Sequence, residues 1–264
     1  MDYIFTIISP EDALLDKRMV YLQKRLDKKF TTFLCPSGQR DFEAFENGVY
    51  IFPFSLSAGT VFSLLNALPE NSYTFGAGLC DEAKVLAHKK RICHTDILTD
   101  EQFCRDNAHI TAEGALSLVI SSTEMILRGM RIAVFGYGRI GSRLVTMLLS
   151  LGASVKVFTS NKEELSALKV RGIPYSHLWQ RQDIGSFSCI VNTIPLHHVI
   201  PKDTLANLDK STYILDLASG SNNVDWAGVK LLGLRGEHAT SLPGKISPHS
   251  AAAVLENTIM KYLE

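Results

Sequence analysis

A strand that runs into a glycine-rich turn and then a helix constrains this chain more than any other feature. Residues 132–135 read Ile-Ala-Val-Phe, and the pattern G-x-G-x-x-G follows directly over residues 136–141. Apolar residues then recur at helical spacing, at Ile140, Leu144, Val145, Leu148 and Leu149. A glycine pattern alone is weak, but this strand and helix around it predict a turn that binds a dinucleotide.

Each glycine of the turn has a distinct physical role in such a unit. Gly136 makes the tight turn, Gly138 lets the backbone approach a pyrophosphate, and Gly141 lets the helix pack close to the strand. The pyrophosphate is expected on the N–H groups at the start of the helix. Cofactor contacts are therefore predicted from Gly136, Tyr137, Gly138, Arg139, Ile140 and Gly141. The alternative is a turn that serves only the fold.

Composition and charge exclude several classes of protein. The 264 residues contain 27 basic and 27 acidic side chains without a long run of either sign, which argues against nucleic acid or an anionic membrane as the main partner. No apolar run is long enough to cross a bilayer, and the N-terminus lacks the features of a signal peptide. We therefore expect a cytoplasmic protein.

The cysteines and histidines predict neither a disulfide framework nor a metal site. The five cysteines lie far apart and form no C-x-x-C pair. His197 and His198 are adjacent, so their side chains would point apart on a strand. No metal is expected.

Residues 1–110 alternate short apolar runs with helical patterns, which predicts a small flavodoxin-like α/β lobe for the substrate or for assembly. The predicted strands cover residues 3–8, 30–34, 49–52, 73–77 and 91–96. The predicted helices cover residues 12–26, 61–68 and 81–90.

Residues 111–247 are predicted to form a Rossmann dinucleotide-binding domain, led by a crossing helix over 111–128. Its predicted strands cover residues 131–135, 154–158, 188–192, 213–217 and 229–234, and its predicted helices cover 139–151 and 162–171. A last helix, within residues 248–264, is expected to pack back on the first domain. Cofactor and substrate would then bind in a cleft at the carboxyl ends of the strands.

The end of the second strand bears on which nicotinamide cofactor is used. NAD-specific sites place an Asp or Glu there, but this chain has Thr159, Ser160, Asn161 and Lys162. Glu163 and Glu164 come later and are expected on the helix. Since Ser160 and Asn161 can bind a 2′-phosphate and Lys162 can neutralise its charge, NADP is predicted ahead of NAD. The alternative is that Ser160 and Asn161 cap the next helix, and both can hold at once.

Further segments, together with the glycine turn, resemble the A subunit of bacterial dipicolinate synthase in their order and spacing. They are residues 111–116 (TAEGAL), 191–195 (VNTIP), 216–219 (DLAS) and 242–248 (LPGKISP). The resemblance covers roughly the last 160 residues of the chain, whereas the first hundred match only in their general β–α pattern.

The resemblance implies a two-domain Rossmann-type protein related in shape to 2-hydroxyacid dehydrogenases. It implies a subunit that acts late in spore formation with a flavoprotein-like B subunit, and that oxidises a dihydrodipicolinate-type intermediate of the lysine pathway with NADP or NAD. The chain departs from the family where Gly220–Asp225 replaces a Pro-Gly-Gly-Val-Asp-like run, and at His249, where the family often has Lys.

Two strand ends supply the remaining predicted cofactor contacts. Asn192, Thr193, Ile194 and Pro195 end one strand at the carboxyl edge, so Asn192 and Thr193 are expected at the nicotinamide ribose or carboxamide. An ordinary turn fixed by Pro195 is the alternative. Asp216 and Ser219 end the next strand and should face the same crevice, although Asp216 fits a turn or helix cap equally well.

Three residues are candidates for the catalytic chemistry. Lys245 follows Pro243-Gly244 and is expected to bind a substrate carboxylate, or else to be a solvated surface lysine. His249 is a candidate to exchange the proton, or a cap of the last helix. Glu113 lies in the crossing segment, near the expected N-terminus of its long helix, where it would act as acid or base or stabilise the positive helix end.

The leading hypothesis is an NADP-linked oxidoreductase of the dipicolinate synthase type that acts on a small dicarboxylate. It is expected to need the flavoprotein-like B subunit for activity. The nearest alternative is a related dehydrogenase for a hydroxy or amino acid, although the Arg and Glu–His set expected of hydroxyacid dehydrogenases is not evident. A second alternative is not an enzyme: it is a catalytically silent subunit that senses a nucleotide or serves as a scaffold. Each hypothesis is compatible with a homodimer.

Overall fold

Parallel β–α repeats build two α/β units in the computed structural model of the protein, which describes residues 3–9, 17–38, 42, 45, 48–181 and 184–264. One unit contains residues 1–110 and 243–264, and the other contains residues 111–242. Part of the helix predicted over residues 12–26 lies outside the described residues.

The first unit contains a five-stranded parallel sheet in the order β2-β1-β3-β4-β5. This is the flavodoxin-like order, so the predicted fold class of this lobe is confirmed. The strands are β1 (Ile4–Ser9), β2 (Thr31–Pro36), β3 (Gly48–Ile51), β4 (Tyr73–Gly76) and β5 (Cys93–Asp96).

Helices cover both faces of this sheet. One face packs against α1 (Arg18–Leu26) and α10 (Pro248–Leu263), and the other packs against α2 (Ala58–Ala67) and α3 (Asp81–Lys89). Leu22 and Leu255 are fully buried in the first of these layers. As predicted, the C-terminal helix therefore packs on the first unit.

The second unit contains a six-stranded parallel sheet in the order β11-β10-β9-β6-β7-β8. Counted from β6, this is the 3-2-1-4-5-6 order of a dinucleotide-binding fold, so the predicted Rossmann class is confirmed. The strands are β6 (Arg131–Phe135), β7 (Ser154–Thr159), β8 (Tyr175–His177), β9 (Cys189–Asn192), β10 (Tyr213–Asp216) and β11 (Arg235–His238).

Two apolar layers sandwich the second sheet. On one face α4 (Glu101–Thr123), α5 (Arg139–Ser150) and α6 (Lys162–Val170) contribute buried residues. On the other face the layer includes α7 (Lys202–Leu205) and α8 (Trp226–Leu231). A short α9 (Leu242–Ile246) precedes α10.

Helix α4 begins ten residues before the crossing helix that the sequence predicted, and it ends at Thr123. Asp100 explains the early start, because its Oδ1 accepts a hydrogen bond from the Phe103 backbone N–H at 2.8 Å. A side-chain acceptor at this position satisfies a helix N–H that would otherwise lack a partner.

The strand predicted over Val229–Leu234 is wrong. The first half of this segment belongs to α8, because Asp225 accepts a hydrogen bond from the Gly228 N–H at 2.9 Å and so starts a helix. The strand comes later, as β11, whose four residues are all exposed at the edge of the sheet. Its sequence, Arg-Gly-Glu-His, has no apolar alternation that would have indicated a strand.

Candidate functional site

The glycine turn lies between β6 and α5, and two of its glycines are required by the fold itself. Gly136 has φ of +93°, and a Cβ there would lie 2.5 Å from Thr193 Oγ1. A Cβ on Gly141 would lie 2.3 Å from the Gly136 carbonyl oxygen. These contacts explain the tight turn and the close packing of helix on strand.

Gly138 differs from the other two, because no neighbour forbids a side chain there. The nearest atom to a Cβ on Gly138 would be Glu164 Oε1, at an ordinary 3.7 Å. Internal packing therefore gives no reason for glycine at this position. The approach of a ligand to the backbone does give one.

The N-terminus of α5 has no side-chain cap. Gly138 is the N-cap residue and makes no side-chain hydrogen bond, and the first turn contains no acidic residue. The N–H groups at this end of a twelve-residue helix, together with the helix dipole, favour an anion from outside the helix.

A carboxylate stands at the tip of β7, contrary to the sequence analysis. Glu164 lies in the first turn of α6, and its Oε2 accepts hydrogen bonds from the Tyr137 N–H at 3.0 Å and from Thr159 Oγ1 at 2.6 Å. The start of α6 thus brings the Glu164 carboxylate back beside the end of β7, although Glu164 itself lies on the helix, as predicted. The premise that favoured NADP, a tip without a carboxylate, is therefore wrong.

The other residues predicted at this tip have separate positions. Asn161 Oδ1 accepts hydrogen bonds from the N–H groups of Glu163 and Glu164, at 2.9 and 3.1 Å, so it caps α6. Ser160 and Lys162 are exposed. Thr159 is buried and holds Glu164.

The remaining side chains of the turn support it from both sides. The Tyr137 hydroxyl accepts a hydrogen bond from the Arg171 guanidinium, and the Tyr137 ring is buried. Arg139 is exposed, and Ile140 packs against the apolar layer beneath α5.

The loop after β9 is tied to the glycine turn. Thr193 Oγ1 donates to the Phe135 carbonyl oxygen at 2.8 Å, directly before Gly136. Asn192 is fully buried, and its Oδ1 accepts from the Ile194 N–H at 3.0 Å. Pro195 is exposed. The Asn192 side chain thus fixes the shape of this loop.

Asp216 is the centre of a buried polar network rather than an exposed group. It is 1% exposed, and its Oδ1 accepts from Asn192 Nδ2 at 2.8 Å and from the Ala218 N–H at 3.1 Å. Asn223 Nδ2 donates to Oδ2 at 3.3 Å. Ser219, the other predicted contact on this loop, is exposed.

His238 is a functional candidate that the sequence analysis missed. It ends β11 directly beside Asp216 of β10, with its Nε2 3.9 Å from Asp216 Oδ2 and 2.9 Å from the Ala218 carbonyl oxygen. The sequence analysis did not predict β11, so it gave no indication that His238 lies beside Asp216.

The three predicted catalytic residues lie on separate helices. Lys245 is exposed on α9, and His249 is exposed at the start of α10 with its ring edge-on to Tyr21 at 5.8 Å. Glu113 is exposed in the middle of α4, so its predicted position near a helix N-terminus is wrong. Their catalytic roles stay predictions.

His94 has a structural position in the first unit. Its Nδ1 and Nε2 lie 2.9 Å from Thr74 Oγ1 and from the Ala77 carbonyl oxygen. Burial lowers the pKa of this imidazole, so the neutral ring is favoured.

The described ranges contain neither a bilayer-crossing helix nor a metal cluster. None of the helices there combines the length and hydrophobicity that a bilayer crossing requires. No group of three or more His, Cys, Asp or Glu side chains in those ranges is arranged to hold a metal ion. All five cysteines are free thiols.

Comparison with known families finds a match that covers most of the second unit. Residues 104–230 match the family described as D-isomer specific 2-hydroxyacid dehydrogenase, NAD binding domain. The match includes the whole glycine turn and the ends of β7, β9 and β10. It supports a nicotinamide dinucleotide as the cofactor and a dehydrogenase-like role.

A curated relative and two crystal structures are similar to the chain. The A subunit of dipicolinate synthase from Bacillus subtilis is 30% identical over 158 residues, which are 60% of this chain and about half (53%) of the relative's length. The structure of the corresponding A subunit from Bacillus halodurans superposes with a TM-score of 0.78 at 20% identity, covering 99% of this chain and 97% of that chain. The A chain of the Bacillus subtilis enzyme gives 0.77 at 20% identity, covering 100% and 96%. The two structures share the fold of this chain, and the predicted resemblance to the A subunit of dipicolinate synthase is confirmed.

Proposed function

We propose that this chain is a nicotinamide-dinucleotide-dependent oxidoreductase subunit of the dipicolinate synthase type. The observation that supports it most is Gly138, where the fold leaves room for a side chain and yet has glycine beside an uncapped helix N-terminus. That arrangement fits a backbone that a pyrophosphate approaches.

The chain's own groups divide the binding of the dinucleotide between them. The N–H groups at the start of α5 bind the pyrophosphate, and the Glu164 carboxylate accepts hydrogen bonds from the ribose hydroxyls. The bound dinucleotide supplies a hydride acceptor. Thr159 and the Tyr137 N–H hold Glu164 in place before the cofactor arrives.

The position of Glu164 favours NAD over the NADP that the sequence predicted. A carboxylate at the ribose accepts from a 2′-hydroxyl but repels a 2′-phosphate. Ser160 and Lys162 are the groups that would support NADP, and both are exposed without a structural role in holding the tip. We therefore assign the cofactor preference to Glu164.

Titration of the purified protein with NADH and NADPH tests this preference. We expect NADH to bind at least about tenfold more tightly, and Glu164→Gln to narrow that ratio. Glu163→Gln is the matched control, since Glu163 is exposed on the same helical turn. If the unaltered protein binds NADPH more tightly than NADH, the cofactor preference is set by Ser160 and Lys162 instead of Glu164. If it binds neither dinucleotide, the proposed cofactor site is contradicted.

The proposed substrate is a small dicarboxylate of the dihydrodipicolinate type. Lys245 would bind one of its carboxylates, and His249 and Glu113 are the acid–base candidates from the sequence, to which the structure adds His238. Its oxidation transfers a hydride to the nicotinamide and releases a proton as the ring becomes aromatic. The proposed setting is cytoplasmic, during spore formation, with a flavoprotein-like B subunit and with a homodimer as the assembly of this chain.

Turnover tests the reaction. The protein is mixed with the lysine-pathway intermediate, NAD or NADP and a flavoprotein-like partner, and the absorbance of dipicolinate is followed. Product that requires this chain supports the proposal. Dinucleotide binding without product under any of these conditions would favour a nucleotide-sensing or scaffold subunit, whereas oxidation of a hydroxy or amino acid instead would favour a related dehydrogenase.

A further inference from the structure

We propose that His238, supported by the buried carboxylate of Asp216, accepts the proton that substrate oxidation releases. This role rests on the proposed function, because it needs a hydride acceptor on the same unit. The observation behind it is a row of polar residues along the carboxyl edge of the second sheet.

The row places His238 in line with the strand that leads into the glycine turn. Phe135 pairs with Asn192, Asn192 pairs with Asp216, and Asp216 pairs with His238, each on the neighbouring parallel strand. Residues that pair in this way share one face of the sheet. The carboxyl edge is where open α/β sheets bind their ligands.

The hydrogen bond to Ala218 selects the tautomer of His238. A carbonyl oxygen only accepts, so the imidazole Nε2, at 2.9 Å, must donate its hydrogen to the Ala218 oxygen. In the neutral ring the other nitrogen, Nδ1, then has the lone pair. A base with this orientation can take a proton without breaking the bond that holds it.

The Asp216 carboxylate lies beside this ring and is itself held in place. Its Oδ2 lies 3.9 Å from His238 Nε2, and the carboxylate side chain is 1% exposed while that of His238 is 31% exposed. The neutral donors of Asn192, Ala218 and Asn223 hold the carboxylate in position. The carboxylate that supports the ring is therefore itself fixed in position.

No other described charge competes for this imidazole. Glu237 precedes His238 on the strand and so points to the opposite face, where it accepts a hydrogen bond from the Tyr213 hydroxyl at 2.5 Å. Asp216 is the acidic group that the described contacts place beside His238.

The step balances as a two-electron oxidation. A dinucleotide held at the glycine turn would accept the hydride that leaves a substrate carbon, and Nδ1 of His238 takes the proton of the adjacent N–H or C–H. A C=N or C=C double bond forms between those two substrate atoms, and the imidazolium later releases its proton to solvent through its exposed edge.

The kinetic test compares His238→Gln with His177→Gln, an exposed histidine that also ends a parallel strand of this sheet. We expect His238→Gln to lower kcat by about a hundredfold or more, to remove the acid limb of the kcat/KM profile, and to leave NADH affinity within about twofold. Asp216→Asn should lower kcat less, because the base itself remains. His177→Gln should leave kcat unchanged.

A second readout needs no turnover. Long-range proton–nitrogen spectra of the imidazole rings, with the His238 signals assigned by their loss in His238→Gln, should show hydrogen on Nε2 and none on Nδ1 in the neutral form. The opposite tautomer, or a His238→Gln protein with normal kcat, would overturn the role of His238 alone. Absence of any turnover by the unaltered protein with every partner would instead overturn the proposed function, and the role of His238 with it.

Discussion

The chain contains two G-x-G turns between a parallel strand and a helix, one in each unit. Gly76-Ala77-Gly78 begins at the last residue of β4 and precedes α3, whereas Gly136-Tyr137-Gly138 follows β6 and precedes α5. A Cβ on Gly76 would lie 3.2 Å from Phe52 Cβ, and one on Gly78 would lie 2.8 Å from Asp96 Oδ2. Both glycines of the first turn are therefore explained by the unit's own side chains, whereas Gly138 is not.

The helices that follow these two turns differ in whether their first turn contains acidic residues. The first turn of α3 contains Asp81 and Glu82, and a hydrogen bond to its own backbone N–H lowers the pKa of Glu82. The first turn of α3 thus contains anions, while the first turn of α5 contains none, and the carboxylate beside the start of α5, that of Glu164, comes from α6. The comparison indicates which glycine pattern marks a ligand site. It is the one whose glycine has room for a side chain and whose helix has no acidic residue in its first turn.

The largest expected effect is at Gly141, where the fold requires glycine. Gly141→Ala should lower the free energy of unfolding by about 3 kcal/mol, because the new Cβ meets the Gly136 backbone and neither element can move freely. Chemical denaturation measures it. Gly59→Ala, on a helix position with open space, is the control and should change stability by less than about 1 kcal/mol. Equal effects at both positions would contradict the packing account.

The second-largest loss of stability is expected at Asp100, whose side chain caps the N-terminus of α4. Asp100→Ala should cost about 1–2 kcal/mol, because α4 loses its N-cap and Lys261 loses its partner at 2.7 Å. The hydrogen bond from Lys261 lowers the pKa of Asp100, so its stabilisation is present above the unfolded pKa and is lost as pH falls through the folded one. Urea unfolding at pH 7 and pH 3 measures the difference, which should shrink in acid.

Lys261→Met separates the two contributions of Asp100. It should cost less than Asp100→Ala, since the hydrogen bond from Phe103 to Asp100 remains. A larger loss than that of Asp100→Ala would mean that the cap contributes nothing.

The smallest effect is expected at the anions of α3. The double change Asp81→Asn and Glu82→Gln should lower Tm by less than about 2 °C, more at low salt than at high salt, because both side chains are exposed. NADH affinity should not change. An altered NADH affinity would place these carboxylates at the dinucleotide and so remove the contrast between the two turns.

The sequence predicted the parts of the fold that have local apolar patterns. β6 and α10 have the predicted bounds, because a continuous apolar run extends through β6 after Arg131 and helical periodicity extends through α10. β11 was missed since it is a polar edge strand, and α8 was read as a strand because its start depends on the Asp225 side chain. Short or exposed elements need tertiary contacts to identify them.

The site was predictable to a similar extent. The glycine turn was found because its signal lies within one strand and one helix. Glu164 was set aside because it comes after the strand end, and only the helix start at Asn161 turns it back to Tyr137. Asp216 and Asn192 were identified by position, but their mutual hydrogen bond follows from strand pairing that no local pattern contains.

The most direct test of the central claim is a paired measurement on Gly138→Ala, of unfolding free energy and of NADH affinity. Because a Cβ there has its nearest neighbour at 3.7 Å, stability should change by less than about 1 kcal/mol. NADH affinity should fall at least about tenfold, because the side chain occupies the space beside the pyrophosphate. Unchanged NADH affinity in a stable Gly138→Ala protein would contradict the assignment of this turn as the dinucleotide site.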